Sequence, residues 1–236
     1  MPDPLVLLPG MMCDARLFSH QFLELNRDRA VMVAPLVGAS SVGALAQQVL
    51  DAAPRRFALA GLSMGGIVAM EMLGRAPDRI TRIALMDTNP LPETPQAAAA
   101  REPHIIGVQN GRLEEIMRAE MKPRYLAPGP GRVEVMATVM EMAKDLGPDV
   151  FVAQSRALQR RPDQQKVLRG VKVPALVLCG EHDALCPVKR HEFMAGLIPS
   201  AELRVIEEAG HLPTLERPAA TTEALRDWLG TPLVLR

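Results

Sequence analysis

Phe57-Ala58-Leu59-Ala60-Gly61-Leu62-Ser63-Met64-Gly65-Gly66 is the stretch that decides the fold. Residues 57–60 form a short unbroken apolar run, which reads as a strand buried on both faces. The run passes straight into Gly61, Ser63 and Gly65, and then into an apolar helix over 66–75. A serine on so sharp a strand-to-helix turn is pushed out above the sheet, with strained backbone angles. Glycines two before and two after it remove the side chains that would collide there. The helix behind it aims its N-terminus, with free N–H groups, at the place where negative charge would develop. With 17 glycines in the chain, this spacing arises by chance about 0.03 times. Ser63 is therefore read as a nucleophile, against the alternative of an idle serine in a glycine-rich turn.

The pattern extends outward on both sides. Leu5-Val6-Leu7-Leu8 is another apolar run, closed by Pro9-Gly10. A helix is expected over 14–26, capped by Asp14, with Leu17, Phe18, Phe22 and Leu25 on one face. A strand over 29–34 follows, then a helix from Ser40 or Ser41 with Leu45, Val49 and Ala52 in register, and later a strand over 80–86. Strands and helices alternate across short connections as far as Asp87, which implies a parallel sheet with right-handed crossovers.

From Thr88 to about Lys172 that rhythm breaks. Helical patterns lie near 111–121, 132–146 and 151–160, punctuated by Pro128-Gly129-Pro130-Gly131 and Gly147-Pro148. A structureless loop of that length is implausible, so 88–172 reads as an inserted helical cap on a core made of 1–87 and 173–236. The alternation resumes with a strand over 175–179, a helix over 187–197, a strand over 202–206 and a closing helix over 218–229.

Composition bounds the function. In 236 residues, 48% are hydrophobic, enough for a large core. The formal net charge is zero, and no basic run or basic-aromatic strip is present, which argues against nucleic acid and membrane surfaces as partners. The apolar runs are too short to span a bilayer, and Met1-Pro2-Asp3-Pro4 does not open a signal peptide. Cys13, Cys179 and Cys186 are too few for a disulfide framework and suit the reducing cytoplasm. No spacing suggests a metal site, and no cofactor is expected.

Serine needs a base beside it. His211, in Gly210-His211-Leu212-Pro213, follows the last expected strand. The carboxyl ends of parallel strands share one edge, which is also where Ser63 emerges. His20 and His191 fall on helices, His104 in the insertion, and His182 just before a stronger carboxylate candidate. That carboxylate, Asp183 in Cys179-Gly180-Glu181-His182-Asp183, reaches the same edge and would hold the base in its tautomer. Asp87 after residue 86 competes with it, and Glu181 and Glu207 are weaker competitors. Oxyanion donors are expected from the N–H groups of Met64 and of Met11, in Pro9-Gly10-Met11-Met12. Neither Cys13 nor Cys186 has an activating neighbour that would make it the nucleophile.

Together these stretches resemble the α/β-hydrolase family. The resemblance covers nearly the whole chain outside the insertion and implies a three-layer fold of about six parallel strands flanked by helices, with the triad in the order Ser63, Asp183, His211. The subgroup it is most similar to contains small capped serine hydrolases, such as carboxylesterases that cleave methyl esters of acyl carriers, and enol-lactonases. Many members have His-Gly where this chain has Pro9-Gly10, and the first strand here corresponds to the third of the fuller family. The cap's candidate lining residues are Met117, Met121, Tyr125, Met136, Met140 and Phe151; the same residues also suit packing the cap onto the core. Arg124, Arg156, Arg160 and Arg161 fit either a solvated helix face or contact with an acidic group on a substrate.

The expected function is hydrolysis of a small carboxylic ester, lactone or thioester through an acyl-serine, by a monomer or homodimer. The same triad also serves C–C bond hydrolysis, enol-lactone opening or elimination. A non-catalytic ligand-binding relative is the third reading, and an intact base argues against it.

Overall fold

In the computed structural model, which describes residues 2–120 and 125–233, the alternation becomes a single sheet. Its strands are β1 (Leu5–Leu8), β2 (Val31–Val33), β3 (Phe57–Leu62), β4 (Ile80–Met86), β5 (Ala175–Gly180) and β6 (Ala201–Ile206). They stand in the order β2-β1-β3-β4-β5-β6, and every neighbouring pair is parallel. β3 runs two residues past the apolar stretch, because Gly61 and Leu62 still pair with Leu85 and Met86. β2 is shorter than the expected 29–34. Only Val31, Met32 and Val33 find partners on the four-residue β1.

Both faces of β1, β3, β4 and β5 are buried, as continuous apolar strands require, while the edge strands β2 and β6 are partly exposed. Successive side chains point to opposite faces, so Leu5, Leu7, Ala58, Ala60 and Leu62 join one core, and Val6, Leu8, Phe57 and Leu59 join the other. On the first face lie α1 (Ser19–Leu25) and the closing helix, with Trp228 2% exposed. On the second lie α2 (Val42–Ala52), capped by the Ser41 hydroxyl, and α3 (Met64–Arg75). The expected first helix divides: Asp14 caps a short 3-10 turn over Ala15–Phe18, and α1 follows it.

Between β4 and β5 the chain is helical: α4 (Pro95–Ala100), α5 (Glu102–Gln109), α6 (Leu113–Glu120), α7 (Arg132–Gln159) and α8 (Gln165–Arg169). α4 and α5 carry little periodicity, and the usable signal was Thr94 as cap with Pro95 in the first turn. α7 is interrupted where Gly147-Pro148 demands it: Gly147 has φ 81° and ψ 176°, and proline displaces its predecessor from helical geometry. After β5 come α9 (Val188–Leu197), α10 (Pro213–Glu216) and α11 (Pro218–Gly230). Among the described residues no helix is long and apolar enough to cross a membrane.

The topology positions the site. From β1 the chain moves to β2 on one side, then returns to β3 on the other. Strand order therefore reverses between β1 and β3, and the crevice outside their carboxyl ends is where parallel sheets receive ligands. The loop at Met11 and the turn at Ser63 both open there.

Candidate active site

Ser63 stands at the reversal with φ 54° and ψ −115°, a conformation costing about 1–3 kcal/mol that persists only when its surroundings over-determine it. Ser63 N–H donates to Met86 O at 2.9 Å, and Thr88 Oγ1 donates to Ser63 O at 2.7 Å. A methyl group on Gly65 would stand 2.8 Å from Pro9 O and closer still to Leu8 O, and one on Gly61 would stand 2.6 Å from Gly66 N. The two glycines thus let β1, β3 and α3 converge under the serine. Met12, Asp87 and Glu208 also have positive φ. With Ser63 they follow β1, β4, β6 and β3, so backbone strain collects along one edge of the sheet.

His211 follows β6 and reaches Ser63 across 148 residues, with Nε2 2.9 Å from Ser63 Oγ. Its Nδ1 lies 2.8 Å from Asp183 Oδ2. The other oxygen of Asp183 accepts N–H bonds from Leu185 at 2.8 Å and Cys186 at 2.9 Å. Burial pushes the Asp183 carboxyl up. The charge and hydrogen bond of His211, with the Cys186 N–H, outweigh that and hold it below the ordinary carboxylate range. His211 is 2% exposed and Asp183 3%, so the imidazole has little freedom to turn away. The Tyr125 ring meets it edge-on, centroids 5.4 Å apart, and His211 N–H donates to Tyr125 O at 2.6 Å.

Asp87, the competing carboxylate, takes another place. Its Oδ1 accepts Gly180 N–H at 2.9 Å, and its carboxyl shares a hydrogen bond with that of Asp183. Burial first, and then the charge of Asp183, push its carboxyl well above the ordinary range. A carboxyl whose pKa rises on folding stabilises the fold below its ordinary value of 3.8 and loses that contribution as pH climbs through the raised value. Asp87→Asn keeps the acceptor for Gly180 and removes the charge. We expect it to melt about 3 °C or more higher than wild type at pH 7, the gain shrinking as pH falls towards 3.8. An equal gain at both ends, read by calorimetry, would contradict a titrating Asp87.

Two braces have no local sequence signal. Gln154 on α7 accepts Met12 N–H at 2.8 Å and donates to Leu36 O at 2.9 Å. It supplies the bracing of the Pro9-Gly10 loop. Glu216 on α10 accepts N–H bonds from Gly210 at 3.0 Å, Leu212 at 3.0 Å and Ala127 at 2.7 Å. It ties both sides of His211 to the segment carrying Tyr125. His191 is likewise structural: it accepts Thr88 N–H at 3.1 Å, and burial pushes it down to about 4.

Above Ser63 lies a cavity of about 490 Å³, walled by Met11, Met64, Met117, Tyr125, Phe151 and Arg161, among others. Met64 is the first residue of α3, so its N–H has no partner within the helix. The loop carrying Met11 abuts the serine: a methyl group on Gly10 would stand 3.5 Å from Ser63 Cβ. Of the other expected lining residues, Met136 and Met140 pack against the core. Arg156 is engaged by Glu102 and Gln159 instead of facing the cavity, and Arg160 donates to Ser40 O at 3.3 Å. Met121 and Arg124 lie outside the described residues. A larger, open cleft of about 770 Å³, near Ile80, Thr81 and Pro174, lies at the amino ends of the strands, across the sheet from Ser63.

Asp183, Cys186 and His211 bring ligand-type atoms within 4.8 Å of one another, a set that suits a metal poorly. Asp183 and His211 already bind each other, and burial keeps the Cys186 thiol protonated. Burial also pushes Cys13 up to about 12, so neither cysteine supplies a thiolate at neutral pH.

A strained serine, an imidazole bonded to it, and a carboxylate behind the imidazole, on a parallel sheet and opening on a cavity, define a serine hydrolase. The model of the alpha/beta hydrolase family matches residues 5–224, and the chain belongs to that family. It is 26% identical over 194 residues to a pimeloyl-[acyl-carrier protein] methyl ester esterase of Klebsiella pneumoniae, covering 80% of this chain and 75% of that one. A thermophilic esterase from Thermogutta terrifontis, solved with malate bound, superposes with a TM-score of 0.87 at 30% identity over 96% of this chain and 89% of that one. The enol-lactonase from Burkholderia xenovorans superposes at 0.88 with 23% identity, covering 98% and 92%, and shares the fold.

Proposed function

We propose that the protein hydrolyses small carboxylic esters through an acyl intermediate on Ser63. The observation that carries this reading is the continuous chain of hydrogen bonds from Ser63 Oγ through His211 to Asp183, at 2.9 and 2.8 Å, opening on the cavity. His211 Nε2 takes the Ser63 proton as Oγ attacks the ester carbonyl. The N–H groups of Met11 and Met64 hold the oxyanion. The tetrahedral adduct collapses, and the leaving alcohol departs with the proton from His211. Water then attacks the acyl-serine with His211 again as base, releasing the carboxylic acid and restoring Ser63. Lactone opening follows the same steps with the alcohol retained.

Residues 88–172 serve as the cap, bringing Met117, Tyr125 and Phe151 over the serine and limiting water around it. The esterase relatives support the reaction class. The three free cysteines, all buried, suit the cytoplasm as the place of action.

A fluorophosphonate probe tests this with a panel of p-nitrophenyl esters from acetate to octanoate. We expect one label, on Ser63, with esterase activity lost in proportion to labelling. Esterase turnover that survives complete labelling would sink the proposal.

A further inference from the structure

Glu93, Arg101 and Arg161 form a charged cluster in the wall of the cavity above Ser63. Glu93 lies in the segment before α4, Arg101 between α4 and α5, and Arg161 just beyond α7. The Glu93 side chain is 4% exposed, Arg161 12% and Arg101 26%, so these charges are largely withdrawn from water. Arg101 grips Glu93 in a fork: Nε lies 3.0 Å from each carboxylate oxygen and Nη2 2.6 Å from Oε1. That pair is neutral. Arg161 reaches the same Oε1 only at 3.6 Å, and its Nε donates to Leu91 O at 2.9 Å.

One carboxylate therefore faces two guanidiniums. Asp87 also lines the cavity but is pushed towards its neutral form, while His104 and His211 add no fixed negative charge. Burial, and with it the charges of Arg101 and Arg190, pull Arg161 below its ordinary value despite Glu93. Among the described residues the wall is short of one negative charge. Arg101 Nη1, moreover, points at Met11 Sδ, 3.9 Å away. A thioether is a weak acceptor for a guanidinium N–H, so an ionic acceptor entering here would displace it with gain. Met11 is also the residue proposed to donate to the oxyanion, which puts this cation beside the reacting ester.

We propose that the cavity selects esters bearing a second, ionised carboxylate, received by Arg161 and the Nη1 edge of Arg101 while Glu93 holds both guanidiniums in place. The inference rests on the ester-cleaving reading of Ser63 and adds its substrate class. A buried cation that gains a carboxylate partner makes charge-assisted hydrogen bonds that a neutral amide does not replace.

The test compares each acid with its neutral isostere by kcat/KM. Monomethyl glutarate against methyl 4-carbamoylbutanoate places the charge on the acyl side, and acetoxyacetate against acetoxyacetamide places it on the alcohol side. We expect the acid to be preferred by about tenfold or more in at least one pair. Arg161→Gln should bring that ratio towards one, because the remaining Arg101–Glu93 pair is neutral. Glu93→Gln, which removes the internal competitor, should raise it. A ratio within one variant is insensitive to the fraction folded. Should Arg161→Gln not fold, Glu93→Gln decides, and an unchanged or lowered ratio overturns the proposal. Neutral esters cleaved with no preference in either pair would overturn this inference alone. A wild-type protein that cleaves none of the esters overturns the ester reading and this substrate class with it.

Discussion

Ser63→Ala lowers kcat for p-nitrophenyl acetate by about 10⁴-fold or more and abolishes fluorophosphonate labelling, while the melting temperature stays within a few degrees of wild type. The size of the loss follows from what the hydroxyl does. Without Oγ no acyl-enzyme forms, and His211 has no serine proton to take. What remains is the cavity, the N–H groups of Met11 and Met64, and a base able to activate water directly, which sustains a small residual rate. The fold should survive because the residue's structural duties belong to its backbone. Ser63 N–H bonds Met86 O, and Ser63 O accepts the Thr88 hydroxyl. Alanine keeps both. The lost Ser63 hydroxyl is bonded to His211 Nε2, at a site that lines a cavity where water can take its place. The measurement is steady-state turnover with calorimetry on the same preparation. A variant with more than a tenth of wild-type turnover would show that another group attacks the ester.

The sheet and the serine were legible in the sequence because their signals are local. A buried parallel strand needs an unbroken apolar run. A serine lifted over a sheet edge needs glycines on both sides, since β1 and α3 pass close beneath it. His211 and Asp183 were legible one step less directly, through the rule that parallel strands bring their carboxyl ends to one edge. The sequence left Asp87 and Asp183 as competitors. Distance separates them: Asp183 Oδ2 lies at His211 Nδ1, while Asp87 is turned to Gly180 N–H.

What stayed illegible has one physical character. Gln154, Glu216 and the Glu93–Arg101–Arg161 cluster are polar side chains each tied to at least one partner far along the chain: 142 residues for Gln154 and Met12, 89 for Glu216 and Ala127, and across α4 to α7 for Glu93 and Arg161. No period or spacing encodes such a pair. A buried glutamine on an amphipathic helix looks like any residue at the edge of the polar face until the facing loop is in place. The helical segment between β4 and β5 suffers most from this. Its helices α4 and α5 are set by a cap residue and by packing, and its charges are read correctly only once it is known which of them face inward. Arg156 and Arg161, five residues apart on and just beyond α7, end in different surroundings: Arg156 with Glu102 outside the cavity, Arg161 in its wall.

Gly65→Ala is expected to remove both fold and function, for a reason that joins them. Its added methyl group would fall inside contact distance of Leu8 O and stand 2.6 Å from Leu8 C and 2.8 Å from Pro9 O. These are backbone atoms of β1 and of the loop that carries Met11. No rotamer change relieves the clash, so β1 or α3 must shift. Overpacking that side chains partly absorb costs about 1–3 kcal/mol, and an obstruction by backbone alone belongs at or beyond the top of that range. For a chain of this size each kcal/mol lowers the melting temperature by roughly 2–4 °C, so a fall of about 6–12 °C follows. Whatever fraction folds will hold Ser63 and the Met11 loop about an ångström out of register, which alone costs about 10²-fold in rate. Gly196→Ala is the matched control. It lies in α9, a methyl group there meets nothing within 4 Å, and alanine is the better helix former by up to about 1 kcal/mol. That variant should match or exceed wild type in stability at full activity. Gly65→Ala with wild-type melting and wild-type turnover would mean that β1 and α3 have room between them, and that the glycine after Ser63 is not what lets the turn close.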